Sequence, residues 1–194
     1  MRKMNLFSIG HSNHEIGQFI DLLKQADVTA IADVRTQPYS RHAADYNSDI
    51  LKARLKSEDI AYVYLGKELG GRPERRLMCD GVADYEAMAR EESFHSGMKR
   101  LIGGAQTYRV AMMCSEQHPL DCHRCLLVGR ALLREAMDTR HILPDGAQIT
   151  QTEIEAQLLL MANKTQDDLF ADADTLLAHA YAQRARKVAF SEAA

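Results

Sequence analysis

The sequence has no apolar stretch that approaches the length needed to cross a bilayer, which excludes a helical membrane span. Its N-terminus carries Arg2 and Lys3, but the following apolar run is interrupted at Asn5 and stops at Gly10-His11, too short for a secretory leader. A cytoplasmic protein is the expectation. Nor is there an excess of positive charge. A net charge of −3 argues against a general nucleic-acid coat while leaving room for a local basic pocket. Four cysteines in 194 residues do not make a disulfide framework, least of all in that compartment, so they read as thiols, metal ligands or core residues. Internal repeats, low-complexity tracts and clear linkers are also missing.

What is present is ordinary in bulk. Hydrophobic residues at 46% and charged ones at 26% fit a globular chain that can bury a core. The length is most economically one domain over 1–194, with 150–190 as a helical tail packed on it or used in self-association.

Along the chain, short apolar runs alternate with helical periodicity. Met4 to Ile9 reads as a strand, followed by a capping box of Ser12 and Glu15 and a helix through Ile16, Phe19, Ile20 and Leu23. Thr29 to Val34 is the second strand, and Ala61 to Leu65 the third. Between them a helix carries Ile50, Leu51 and Leu55, capped by Asn47 or Ser48. Asp84 caps a helix that runs through Met88, Phe94, Met98 and Ile102, is loosened at Ser96-Gly97, and is ended by Gly103-Gly104. Arg140 to Leu143 looks like a last strand. Thr150 and Glu153 form another capping box, and Leu169, Phe170, Ala173, Leu176, Leu177, Ala180, Tyr181 and Val188 trace one helix face that covers the sheet or mediates association. Four or more strand–helix alternations predict an α/β fold: a mostly parallel sheet with helices on both faces, a Rossmann-like three-layer sandwich.

The most informative stretch is Tyr108 to Met137. A β-branched and Met-rich run ends at Cys114-Ser115-Glu116, and an apolar helical pattern restarts at Cys122-His123-Arg124-Cys125. With Asp121 as N-cap, Cys122, His123 and Arg124 fall in the first helical turn, where free backbone N–H groups and the helix dipole favour an anion. A thiolate at Cys122 is then favoured, with Cys114 at the other lip of the crevice. The bland alternative, small buried core residues, carries equal weight for those two cysteines and more for Cys125. His118 and Pro119 shape the loop, and Cys79 receives no role.

Other polar residues fall after the predicted strands, at the edge where parallel sheets bind ligands. His11, Ser12 and Asn13 follow the first; His11 either faces a ligand or is satisfied by backbone. Asp33, Arg35 and Arg41 close the second. Asp33 in a buried run needs a partner, and Arg41 returning to it is as well weighted as a ligand role. After the third come Gly70-Gly71-Arg72, suited to wrapping an anion with backbone N–H and guanidinium, and Arg75 and Arg76, which read as solvated or paired.

Ile9-Gly10-His11-Ser12-Asn13, Asp33-Val34-Arg35 with Pro38 and Ser40-Arg41, Leu69-Gly70-Gly71-Arg72, Met113-Cys114-Ser115-Glu116 leading to Cys122-His123-Arg124, and His141-Ile142 with Gly146 resemble, in order, the signature segments of the bacterial and archaeal family called domain of unknown function 488. The resemblance covers nearly the whole chain. It implies that these rim residues form a shared site, and it brings no settled reaction. Cys125, which creates a Cys-x-x-Cys in this chain, is not carried over, and no redox role is built on it.

Three functions compete. In the first, an enzyme holds an anionic, phosphate-bearing or nucleotide-like substrate among Arg35, Arg41, Arg72 and Arg124, with Ser12, Asn13 and His123 in the same pocket. Cys122 is its nucleophile, Cys114 a resolving or ligating partner, and Glu116 or His11 moves protons. No arginine follows Cys114 at the spacing a phosphatase loop needs. In the second, a binding module reads a nucleotide or nucleic acid through the same arginines and Tyr39, Tyr62 and Tyr64. The third is a metal site drawn from Cys114, His118, Cys122, His123 and Cys125, although the seven-residue gap between Cys114 and Cys122 is no standard finger spacing, so no metal ligand set is assigned. No cofactor is named.

Overall fold

The computed structural model of the chain describes residues 6–162 and 172–192. Met4 and Asn5 of the first predicted strand, and Leu169 and Phe170 of the tail helix, lie outside that range. Strand β1 (Leu6–Gly10) leads to helix α1 (Ile16–Gln25), then β2 (Ala30–Asp33), α2 (Ser48–Lys56), β3 (Ala61–Tyr64) and the single turn α3 (Gly66–Leu69). A two-strand hairpin, β4 (Met78–Cys79) and β5 (Val82–Ala83), precedes α4 (Tyr85–Ala89) and α5 (Glu92–Ala105). Then come β6 (Val110–Cys114), a π-helical segment Arg124–Gly129 that continues into α6 (Arg130–Arg134), β7 (Thr139–Ile142), β8 (Gln148–Thr150), α7 (Gln151–Met161) and α8 (Ala173–Val188).

Five strands are parallel, in the order β3-β2-β6-β1-β7, and β8 adds an antiparallel edge to β7. Strand β6 is central, pairing Val110–Cys114 with β1 on one side and Val110–Met113 with β2 on the other. The period of two in these strands divides their side chains between two cores. Phe7, Ile9, Ile31, Ala111 and Met113 meet Phe19, Leu23, Leu51 and Leu55 of α1 and α2 on one face. Leu6, Ala30, Ala32, Val110 and Met112 meet α4, α5, the segment from Cys125 to Leu132, α7 and α8 on the other. The connections after β1 and β2 therefore cross one face, and the connection after β6, which lies between them, crosses the opposite face. A crevice opens at the carboxyl end of β6, where Cys114 stands.

The α/β architecture and its helical extension agree with expectation, and some boundaries do not. Glu15, not Ser12, is the N-cap of α1, and Ser12 adopts a left-handed φ of 47° with its amide bound to Ser115 O at 2.9 Å. Asn47 caps α2 by position only, because its Oδ1 accepts from Ser40 N at 2.7 Å. The helix expected from Asp84 to Ile102 is two helices, α4 and α5, interrupted at Arg90-Glu91 and not at Ser96-Gly97. Through Ser96-Gly97, α5 continues to Ala105 with Gly97 packed against Leu69 and Glu68 of α3. Pro144-Asp145-Gly146 turns a hairpin into the unforeseen β8. The Asp84 cap and the Thr150–Glu153 capping box form as expected. Among the described residues no helix is long and apolar enough to cross a membrane.

Candidate functional site

The loop from Ser115 to Cys122 brings the end of β6 to the start of the next helix. His118 receives Leu120 N on Nδ1 at 3.2 Å and starts a 3-10 turn over Pro119–Asp121. That turn moves the helix start by one residue. Cys122 is extended, with φ −140° and ψ 142°, and His123 is the first residue with helical dihedrals. Cys122, rather than Asp121, therefore occupies the capping position, and its Sγ accepts from Arg124 N at 3.4 Å. Asp121 instead pairs with Arg184 of α8, whose Nε also donates to Leu120 O at 3.0 Å.

Four side chains converge here. His123 Nδ1 lies 3.8 Å from Cys114 Sγ and 3.8 Å from Cys122 Sγ, and Cys122 Sγ is 3.0 Å from Glu116 Oε2. The sulfurs, the imidazole nitrogen and the carboxylate all lie within 4.8 Å of one another. Glu116 is exposed as a residue but turns its carboxylate inward; the other three are buried. His123 Nε2 is 2.9 Å from Val34 O. A carbonyl only accepts, so Nε2 carries a proton and Nδ1 is the nitrogen left facing the sulfurs. Two glycines allow this closeness. A side chain at Gly71 would meet the His123 ring at 2.7 Å, and one at Gly10 would meet Glu116 O at 1.9 Å.

The electrostatics separate the two thiols. Burial alone would raise Cys122, but a hydrogen bond with Cys114 and the charges of Arg124 and His123 outweigh it and hold the thiol well below its free value. Burial and the neighbouring Cys122 charge push Cys114 well above it. His123 is raised because Cys122 outweighs the burial penalty, and Glu116 is raised by burial and by Cys122. Of the two thiols, Cys122 is therefore the one whose surroundings favour the thiolate, with His123 favoured as its cationic neighbour. Cys125 differs: fully buried beside Gln151, with its thiol pushed up to about 12 by burial, it is a core residue.

Arg124 is completely buried beneath the cluster. Its Nη1 and Nη2 donate to Glu116 O at 2.7 Å and Gln117 O at 2.9 Å, so it braces the loop and does not line the cavity. Its Nε begins a one-way chain of hydrogen bonds: to Ser8 Oγ (3.3 Å), then to His141 Nδ1 (2.6 Å), from His141 Nε2 to Gln151 Oε1 (2.8 Å), from Gln151 Nε2 to Tyr181 Oη (2.7 Å), and on to Glu155 (2.9 Å). Burial and Arg124 push His141 down to about 3, so the ring is neutral, as the chain of donors requires.

Above the cluster is a cavity of about 220 Å³. Arg35, Arg72, Cys114, Glu116, Cys122 and His123 line it, so six of the predicted site residues meet at one place. The others do not reach it. Arg41 is exposed elsewhere on its loop, and Asp33 takes Arg35, not Arg41, as partner: Arg35 curls back with Nε–Oδ1 at 2.9 Å and Nη2–Oδ2 at 2.6 Å. His11 stacks on Tyr46 at 4.2 Å, takes Ser12 O through Nδ1, and supports Arg35 Nη1 at 3.4 Å; burial and Arg35 lower it to about 4. Ser12 and Asn13 bond each other on the flank. Of the Gly70-Gly71-Arg72 amides, that of Arg72 is already engaged, donating to Thr36 Oγ1 at 3.0 Å. The Arg72 guanidinium stays exposed, 5.3 Å above the Phe190 ring.

Residues that sequence reasoning did not place in the site are Thr36, Gln37, Tyr85, Ser115, Asp121, Val188 and Phe190. Phe190 arrives because the segment after α8 pairs with the β4–β5 hairpin: Ala83 N bonds Phe190 O at 2.9 Å and Val82 bridges Ser191. No local sequence signal carries that pairing. Arg75 and Arg76 are occupied by Glu192 and by Glu74 and Glu91, and the Tyr62 and Tyr64 hydroxyls bond Asp33 and Thr36 O.

No curated protein and no solved structure matched the chain. One family matches, described as Domain of unknown function DUF488, over residues 15–131. That span includes Arg35, Gly71, Arg72 and the whole Cys114–Arg124 segment, and it covers more than half of the sequence. The chain belongs to the family described as Domain of unknown function DUF488.

Proposed function

We propose that this protein is an enzyme that attacks a small anionic substrate with the Cys122 thiolate. The observation that carries the reading is the orientation of His123: with Nε2–H held by Val34 O, Nδ1 faces Cys122 Sγ at 3.8 Å at the floor of a cavity. That is the nucleophile–base–orienting group arrangement of covalent catalysis, with a backbone carbonyl as the third member. In the reaction, the Cys122 thiolate, whose proton already rests on Nδ1, forms a bond to the electrophilic atom of the substrate. The leaving group departs with its bonding electrons and receives the proton from Nδ1. Water then cleaves the adduct, its oxygen bonding to the substrate atom and its proton passing to Nδ1, which restores the thiolate and its imidazolium.

Arg72 supports an anionic substrate. It projects at the cavity wall and enters no ion pair among the described residues, whereas Arg35 is already neutralised by Asp33. The volume favours a phosphate- or carboxylate-bearing metabolite over a whole nucleotide. A nucleic-acid-binding module is less well supported, since Arg75, Arg76, Tyr62 and Tyr64 are engaged within the protein.

Alkylation by iodoacetamide at neutral pH with a chelator present, read by peptide mass spectrometry, tests the reading. Cys122 is expected to react before the exposed Cys79, and His123→Ala to slow it by more than about tenfold. Labelling of Cys79 with Cys122 untouched would overturn the assignment.

A further inference from the structure

The geometry points to a second use of the same cluster: Cys114 Sγ, Cys122 Sγ, His123 Nδ1 and the Glu116 carboxylate form a binding site for one zinc-class divalent ion. Distance is the first argument. Tetrahedral zinc, with bonds of about 2.3 Å to sulfur and about 2.0 Å to nitrogen, sets sulfur and nitrogen about 3.6 Å apart. Both sulfurs here stand 3.8 Å from Nδ1, Glu116 Oε2 is 3.0 Å from Cys122 Sγ, and no pair of the four atoms exceeds 4.8 Å. Small side-chain adjustments would close the set around an ion.

The second argument comes from the groups behind the ligands. A metal-binding histidine commonly gives its other ring N–H to a carbonyl or carboxylate, which fixes the ring and its tautomer. His123 does this through Nε2 and Val34 O at 2.9 Å. Cys122 Sγ also receives a backbone N–H from Arg124 at 3.4 Å. Charge is the third. Two thiolates and a carboxylate carry three negative charges, and a divalent ion with the buried Arg124 guanidinium balances them. Two sulfurs with one nitrogen and one oxygen favour zinc over magnesium or calcium. The spacing resembles no zinc finger because a strand end, a 3-10 turn and a helix start, rather than a short knuckle, bring the ligands together.

This site does not depend on the catalytic reading. An ion held there occupies the Cys122 lone pair, so the metal-bound and metal-free protein differ in thiol reactivity. The test is cobalt(II) titration of the whole, chelator-treated chain. One equivalent is expected to bind with sulfur-to-cobalt charge-transfer absorption and the strong visible bands of tetrahedral cobalt. One equivalent of zinc should displace it and slow Cys122 alkylation by more than about tenfold, and chelator should restore the rate. Cys114→Ser should weaken cobalt binding by a similar factor, Glu116→Gln should weaken it while keeping the charge-transfer band, and Cys79→Ser should change nothing. Cobalt binding without that band, or binding lost with Cys79, would overturn the proposal. Should Cys114→Ser fail to fold, the wild-type spectrum and Glu116→Gln still decide it. A Cys122 that resists alkylation in metal-free protein would count against the catalytic reading alone.

Discussion

His123 illustrates how much one hydrogen bond determines. Without the Val34 carbonyl, either ring nitrogen could carry the proton; with it, Nδ1 must face the sulfurs. The identity of His123 was visible in the sequence, but its tautomer depends on a residue 89 positions away. Asp33 shows the same division. A carboxylate inside an apolar strand signals a buried partner, yet the choice of Arg35 over Arg41 follows from a side chain folding back at the strand end, which no periodicity encodes. His141 gives a prediction at this scale. Its folded-state value near 3 lies below the free value near 6.5, so the unfolded chain binds the extra proton first and stability falls as pH drops from about 6.5 toward about 3. The loss at pH 5 should be about 2 kcal/mol. Urea unfolding at pH 7 and pH 5 measures it, and His141→Gln should remove about that much of the difference. An unchanged pH dependence in the variant would contradict it.

At the scale of elements, the helix after β6 starts where a 3-10 turn hands over to Cys122, not where an aspartate announces it. Two aspartates that look alike in sequence therefore have different work. Asp84 caps α4 by accepting from Glu86 N at 3.0 Å and Ala87 N at 3.1 Å, whereas Asp121 pairs with Arg184 at a partly exposed position. Asp84→Ala should cost about 1 kcal/mol and Asp121→Ala less than about that. Thermal melts of the two variants would show the order, and an equal or larger loss at Asp121 would mean that it does cap. Next to this start, the helix is π-wound from Arg124 to Gly129, a form often found beside functional sites. Its periodicity in sequence is indistinguishable from an ordinary helix, so the winding was not legible.

At the scale of the molecule, the site exists because the connection after β6 crosses the opposite face from those after β1 and β2. The end of the chain then supplies the outer wall through Val188 and Phe190. Phe190→Ala should widen the cavity and speed Cys122 labelling by a bulky maleimide more than labelling by iodoacetamide. Equal acceleration by both reagents would argue against a size-limiting wall.

The sequence by itself determined the alternation of strands and helices, the carboxyl-edge location of the polar residues and the convergence of Cys114 with Cys122-His123, because each rests on short-range periodicity and on the parallel-sheet rule. Tertiary structure alone decided which arginines reach the cavity, which carbonyl orients His123, and that a C-terminal phenylalanine covers the site. Those outcomes depend on contacts between residues far apart in the chain, where packing and hydrogen-bond satisfaction choose among partners that local propensity leaves equivalent.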